Sequence, residues 1–165
     1  MHKTLSIGFL LFALSISPAL TLGQTGADEF RSRVEHETDP VRKAKLIRQL
    51  QPDRFKEVSK AFSADKLPDA LAILQEFAAE AQSCENELEA RAVDAEKHPA
   101  GFKELQIAIR EGLRTIDDLL VTITSDEQQP FAGVHGQLND TDLRLIHELF
   151  PSPKRAEKVE RKEDK

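Results

Sequence analysis

Residues 98–125 show the most regular apolar spacing in this amino-acid sequence. Their large apolar residues recur every three or four positions, which is the period of an α-helix with one buried stripe. These residues are Phe102, Leu105, Ile109, Leu113, Ile116, Leu120 and Ile123. A helix of about 25 residues would be about 37 Å long. Because its apolar stripe needs other helices to cover it, the sequence predicts a helical protein organised around this segment.

A second long helical pattern precedes the first and runs from Leu67 to about Lys97. Its apolar positions are Leu67, Leu71, Leu74, Ala78, Ala81, Leu88, Ala92 and Ala95. A short connection between two long helices favours an antiparallel hairpin. No segment alternates with the period of two that a strand requires. We therefore predict an all-α fold, an up-and-down helical bundle organised on two long antiparallel helices and covered by shorter ones.

Prolines and polar clusters mark the predicted ends of the shorter helices. Asp39 and Pro40 predict a helix start, because Asp caps free N–H groups and Pro is tolerated in the first turn. Pro52 predicts a boundary or a kink. Residues 128–137 contain one proline and two glycines and are predicted to be a loop. Residues 139–142 then predict the cap of a last short helix.

The first 23 residues have the composition of an export signal. An apolar run, residues 5–22, follows Lys3, and Pro18 interrupts it near its end. Cleavage is predicted after Gly23, with a site after Ala27 as the alternative. An uncleaved anchor stays open, because a run of about 18 residues is at the lower limit for spanning a bilayer. We predict an exported protein, either periplasmic or secreted, with no stable membrane span after signal cleavage.

The sequence divides the remaining chain into three parts. Residues 24–38 are polar and are predicted to be flexible or weakly helical. Residues 39–150 are predicted to form the helical domain. Residues 151–165 are almost wholly charged and are predicted to be a disordered tail.

Composition excludes several classes of partner. The chain has a formal net charge of -6, which argues against general nucleic-acid binding, because that function needs a basic surface. It contains no Trp and no Tyr. These side chains dominate carbohydrate clefts and antibody-like interfaces, so neither kind of site is expected.

Residues 55–80 resemble a tetratricopeptide-type helical hairpin. The resemblance is carried by Ala61 and Phe62, the turn at Asp65 and Lys66, and the run 70–74. It covers about one repeat, and no second copy follows at a period near 34. The wider pattern of an export signal, the segments 39–45 and 98–105, and a closing Leu-Phe-Pro resembles uncharacterised exported helical bacterial proteins. That resemblance implies no known activity.

The sequence contains no motif of a catalytic, cofactor or metal site. It has no HExxH, no Glu-x-x-His, no GxSxG and no phosphate-binding glycine loop. We therefore expect no cofactor, no metal and no enzymatic activity. Cys84 is the only cysteine, so no disulfide forms within one chain. It is open whether Cys84 is a partly buried small residue, an intermolecular disulfide or a catalytic thiol.

The alanine-rich half of the second long helix is the predicted interaction surface. Glu85 stands there where the apolar spacing requires an apolar residue. The candidate residues are Ala78, Ala81, Cys84, Glu85, Leu88 and Ala92. The leading hypothesis is an exported, non-enzymatic adaptor or scaffold that acts through helix-mediated protein contact. The alternatives are a structural protein that self-associates through Cys84, and a metal-binding or enzymatic protein.

Overall fold

The computed structural model describes residues 25–151, with side chains from Arg31 onwards. Five helices make up this part of the chain: α1 (Thr25–His36), α2 (Pro40–Ser63), α3 (Leu67–Glu89), α4 (Phe102–Leu120) and α5 (Ser125–Leu149). Residues 25–151 contain no β-strand. The predicted all-α bundle is confirmed. The predicted export signal, residues 1–23, and the predicted tail beyond Pro151 lie outside the described residues.

Helices α2 and α3 form a hairpin through the three-residue turn 64–66. Lys43 contacts Glu87 at 2.5 Å, whereas Arg54 contacts Glu80 at 2.8 Å. Residue numbers therefore rise along α2 as they fall along α3, which makes the two helices antiparallel. The segment 55–80, which resembles a tetratricopeptide hairpin, lies across this turn.

Helices α4 and α5 form a second antiparallel hairpin. Gln106 donates a hydrogen bond to Asp142 at 2.9 Å, and nearer the turn Asp117 lies 3.2 Å from His135. The two hairpins pack side by side, with α2 against α4 and α3 against α5, while α1 covers α2. The apolar core therefore runs between the hairpins and extends under α1.

The two long helices predicted from the sequence are α3 and α4. They lie diagonally across the bundle and contact each other less than either contacts its hairpin partner. α4 has 19 residues rather than about 25, and α3 ends at Glu89 rather than near Lys97. A 12-residue connection, residues 90–101, joins them and contains two positive φ angles, at Ala92 (49°) and Gly101 (90°).

The predicted boundary at Pro52 is wrong. α2 continues through Pro52 for 24 residues in all. Apolar residues are buried at helical spacing on both sides of it, including Ile47, Leu50 and Val58. A proline in a helix interior costs about 3 kcal/mol, but Pro52 is exposed and the buried stripe is continuous. Burial of the stripe therefore outweighs the local preference of proline.

The predicted loop at residues 128–137 and the predicted cap at 139–142 are also wrong. α5 begins at Ser125 and includes both segments. Phe131, Val134 and Leu138 are buried at helical spacing, although glycines and polar residues between them hide the pattern in the sequence. Thr141 does not cap a helix, since its hydroxyl donates to the carbonyl of Gln137 within α5 at 3.0 Å.

The segment predicted to be flexible or weakly helical contains α1. Val34 is 1% exposed and belongs to the core, and Arg31 pairs with Glu57 of α2 at 2.5 Å. Buried Val34, together with the ion pairs of Arg31 with Glu57 of α2 and Glu76 of α3, attaches this short helix to the bundle.

Candidate functional site

The structure places five of the six predicted surface residues inside the bundle. Ala81, Cys84, Glu85 and Leu88 are 0% exposed and Ala78 is 5% exposed. α2 and α5 cover this face of α3. The sixth residue, Ala92, is exposed but lies outside α3, in the connection to α4. These six residues therefore do not form a surface of the folded chain, and a surface for a partner has to lie elsewhere.

Cys84 lies between α2 and α3. Its Sγ donates to the carbonyl of Pro40 at 3.6 Å. Burial, together with the negative charge of Glu87, raises the pKa of the Cys84 thiol to about 12. Because the thiolate is the reactive form, this cysteine is a poor nucleophile in the folded chain. A disulfide to a second chain would require the α2/α3 hairpin to open first.

Glu85 forms an internal ion pair rather than a groove. Its carboxylate accepts two hydrogen bonds from Arg144 of α5, one from Nε and one from Nη2, both at 2.6 Å. Arg144 also donates to the hydroxyl of Thr141 at 3.2 Å. The bond to Glu85 raises the pKa of the Arg144 guanidinium above its ordinary value. This bidentate contact joins the first hairpin to the second.

Arg144 is a residue that the sequence analysis missed. The available signal was Glu85 itself, because a carboxylate at a buried helix position requires a cation or several hydrogen-bond donors. The sequence gives no means of choosing Arg144 over the other basic residues, since the two partners are 59 positions apart.

A group of exposed apolar residues lies at the C-terminal end of the last helix. Leu143 is 55% exposed and Phe150 is 75% exposed. Ile146 lies between them in the sequence and is partly buried. Leu143 and Ile146 are three positions apart on α5, and Phe150 follows directly after the helix as its C-cap residue. We call Leu143, Ile146 and Phe150 the α5 flank.

One residue of the α5 flank, Phe150, lines a groove of about 540 Å³. The groove lies between the end of α5, the start of α4 and the 90–101 connection. Its lining residues are Ala95, Glu96, Pro99, Lys103, Gln106, Leu149, Phe150 and Pro151. A few polar side chains thus border an apolar groove, which is an arrangement typical of protein contact sites.

Val121 offers a comparison for the α5 flank. It is 86% exposed and lies in the turn after α4. Single exposed apolar residues are normal on soluble proteins and need no partner. The α5 flank differs from Val121 because it brings three apolar residues close together in the sequence at one end of α5, and one of them, Phe150, lines a groove.

The histidines and acidic residues of the described chain do not converge. Within residues 31–151, no three or more His, Cys, Asp or Glu side chains are grouped so that they could hold a metal ion. His135 pairs with Asp117, and His147 lies 4.0 Å from the neighbouring Glu148. In the same part of the chain, no helix has the length and apolar character needed to cross a membrane.

Comparisons with other proteins identify no relative of this chain. No protein-family model matches this chain, and neither a curated protein sequence nor a solved structure matches it at a significant level. Residues 25–151 form a bundle of five helices with exposed apolar residues at the end of α5.

Proposed function

We propose that this chain is an exported, non-enzymatic protein that acts through helix-mediated contact with another protein, as an adaptor or scaffold. The observation that supports the contact is the exposure of Leu143 on α5 and of Phe150 directly after that helix. Its export is proposed from the composition of residues 1–23.

The α5 flank has the spacing of anchors that a partner groove or helix receives. Residues at positions i, i+3 and i+7 are the usual contact set when one helix face packs into an apolar surface. Burying a Leu or Phe side chain contributes about 1.5–3 kcal/mol relative to leaving it exposed. The exposure of Leu143 and Phe150 is therefore a cost to the free chain that a partner would remove.

The groove beside the flank suits a partner helix or an extended segment. Lys103 and Glu96 border it with opposite charges, and Pro99 and Leu149 supply apolar contact area. Polar residues at the border and apolar residues at the centre are the usual arrangement of a protein interface. We place the contact here rather than on the predicted face of α3, because that face is buried.

A pair of matched variants tests the proposal. Leu143→Ser with Phe150→Ser removes the exposed ends of the flank, whereas Val121→Ser removes a still more exposed apolar side chain elsewhere. In extracts of the producing cells, the wild-type chain is expected to elute above its monomer size in gel filtration. The double variant is expected to elute as a monomer, and Val121→Ser is expected to elute like the wild type.

Circular dichroism of each variant controls for folding, since all three residues are exposed. A wild-type chain that elutes only as a monomer would contradict the proposed contact. Equal complexes in the wild type and the double variant would place the contact outside the α5 flank.

A further inference from the structure

The second helix of the bundle has a charge opposite to that of the whole protein. α2 contains seven basic and two acidic side chains, a net formal charge of +5. α3, its hairpin partner, contains six acidic side chains and no basic one. The complete chain has a formal net charge of -6. Net positive charge is therefore found on α2 and not on its hairpin partner α3.

Only part of this charge is neutralised inside the hairpin. Lys43 and Arg54 point towards α3 and pair with Glu87 and Glu80. Five other basic residues lie on the outward side of α2, where all five are exposed: Arg42, Lys45, Arg48, Lys56 and Lys60. We call these five residues the α2 basic face.

The α2 basic face follows one side of the helix. At 3.6 residues per turn its five positions fall within an arc of about 120°, and they extend over about 27 Å. Arg42 lies near Glu37 and Asp39, and Lys56 lies 3.0 Å from Asp53. Among the described residues, Lys45, Arg48 and Lys60 have no ion-pair partner. Three positive charges thus remain available for a partner.

The form of this face indicates what kind of partner it fits. None of the large apolar side chains that are exposed in the described chain belongs to α2. A specific protein interface needs a desolvated centre, usually with aromatic or aliphatic anchors. A convex row of cations without such anchors fits an extended anionic surface, on which attraction depends on many charges and on no pocket.

We propose that the α2 basic face docks this protein on the surface of an anionic lipid bilayer, without insertion into it. The acidic character of the other faces orients the molecule, because they are repelled by the same surface that attracts α2. Attraction of this kind is screened within about 8 Å at physiological ionic strength. Binding is therefore expected to weaken steeply as salt is added. This proposal does not depend on the α5 flank.

The test uses the purified protein and sedimentation with vesicles. One set of vesicles contains phosphatidylcholine alone, and the other also contains phosphatidylglycerol. Arg48→Glu reverses one unpaired charge of the α2 basic face. Arg114→Glu is the matched control, since Arg114 is exposed on α4 and, within the described chain, has no ion-pair partner. The two variants change the net charge equally.

The wild-type protein is expected to bind the anionic vesicles at low salt and not the neutral ones. Arg48→Glu is expected to weaken binding by about fivefold or more, as each cation near an anionic surface contributes to affinity. The control is expected to stay within about twofold of the wild type. An equal loss in both variants would contradict the proposal, since net charge alone would then explain binding. Binding to polyglutamate but not to anionic vesicles would also overturn it, in favour of an acidic polypeptide.

Discussion

The two hairpins of the bundle use different residues to hold their helices together. α2 and α3 have opposite net charges and are joined across their length by pairs such as Lys43–Glu87 and Arg54–Glu80. In the second hairpin, α4 presents a regular stripe of large apolar residues, including Leu105, to its neighbours. Opposite charge thus contributes to the pairing of α2 with α3 in the first hairpin. In the second hairpin, the apolar stripe of α4 dominates the contact between the helices.

The difference extends to the size of the buried side chains. α3 buries four small residues, Ala70, Ala78, Ala81 and Cys84. Small residues bury little apolar area, so they contribute less to stability than the large residues of α4. In α3, the ion pairs of its acidic side chains with α2 supplement an apolar stripe that is partly made of small residues. The following predictions test this contrast, from the largest expected effect to the smallest.

The ion pair between the hairpins is expected to have the largest effect. Arg144→Ala leaves the carboxylate of Glu85 buried without its cation, which should lower the free energy of unfolding by about 3 kcal/mol. Arg110→Ala is the control, because Asp142 keeps its hydrogen bond from Gln106. Arg110 is half exposed, so its loss should cost less than about 1 kcal/mol. Urea denaturation measures the free energy of unfolding of both variants. Equal losses in the two variants would contradict the importance assigned to the Glu85–Arg144 ion pair.

Close packing of α3 against α4 gives the second prediction. A Cβ at Gly112 would lie 2.6 Å from Cε1 of Phe77, so Gly112→Ala should destabilise the protein by about 1–3 kcal/mol. Gly133→Ala in α5 is the control, because its Cβ would meet nothing within 4 Å. That change should stabilise the protein by about 0.5–1 kcal/mol. Thermal unfolding distinguishes the two variants. Shifts of the melting temperature in the same direction would contradict the close contact between Gly112 and Phe77.

The charge pairs at the edge of the first hairpin are expected to have smaller effects. A double-mutant cycle of Lys43→Ala and Glu87→Ala should give a coupling energy of about 1 kcal/mol or less, since Glu87 is partly exposed. The coupling should decrease in high salt because exposed charges are screened. A coupling that is zero at low salt would show that opposite charge does not stabilise this pairing.

Ionisation of the Cys84 thiol is expected to lower stability in alkali and to have no effect at neutral pH. Its pKa is raised from 9.0 to about 12 on folding, so the folded state keeps the proton that the unfolded state loses. This contribution is fully present below pH 9 and is lost as the pH rises through 12. The wild type should therefore lose stability relative to Cys84→Ala between these values. Parallel pH profiles of the two proteins would contradict the buried position of the thiol.

The sequence predicted what depends on local periodicity and missed what depends on distant contacts. The spacing of Leu105, Ile109 and Ile116 was sufficient to locate α4. Pro52 was misleading because a local rule places a helix boundary at a proline. That rule takes no account of the apolar residues that are buried on both sides of Pro52. Glycines similarly hid the stripe of α5, in which Phe131 and Val134 are buried.

The candidate surface could not be located from the sequence for a related reason. Periodicity shows which residues share a helix face, but it does not show which face a neighbouring helix covers. The alanine-rich face of α3 and the end of α5 with Leu143 and Phe150 look equally available in the sequence. The first is covered by α2 and α5, while Leu143 and Phe150 on the second stay exposed.

The central claim, contact with another protein through the α5 flank, is tested most directly by site-specific photo-crosslinking in the producing cells. A benzophenone amino acid replaces Phe150 in one chain and Val121 in another. The account predicts a discrete adduct with a second protein from position 150 and none from position 121. No adduct from position 150, or the same adducts from both positions, would contradict it.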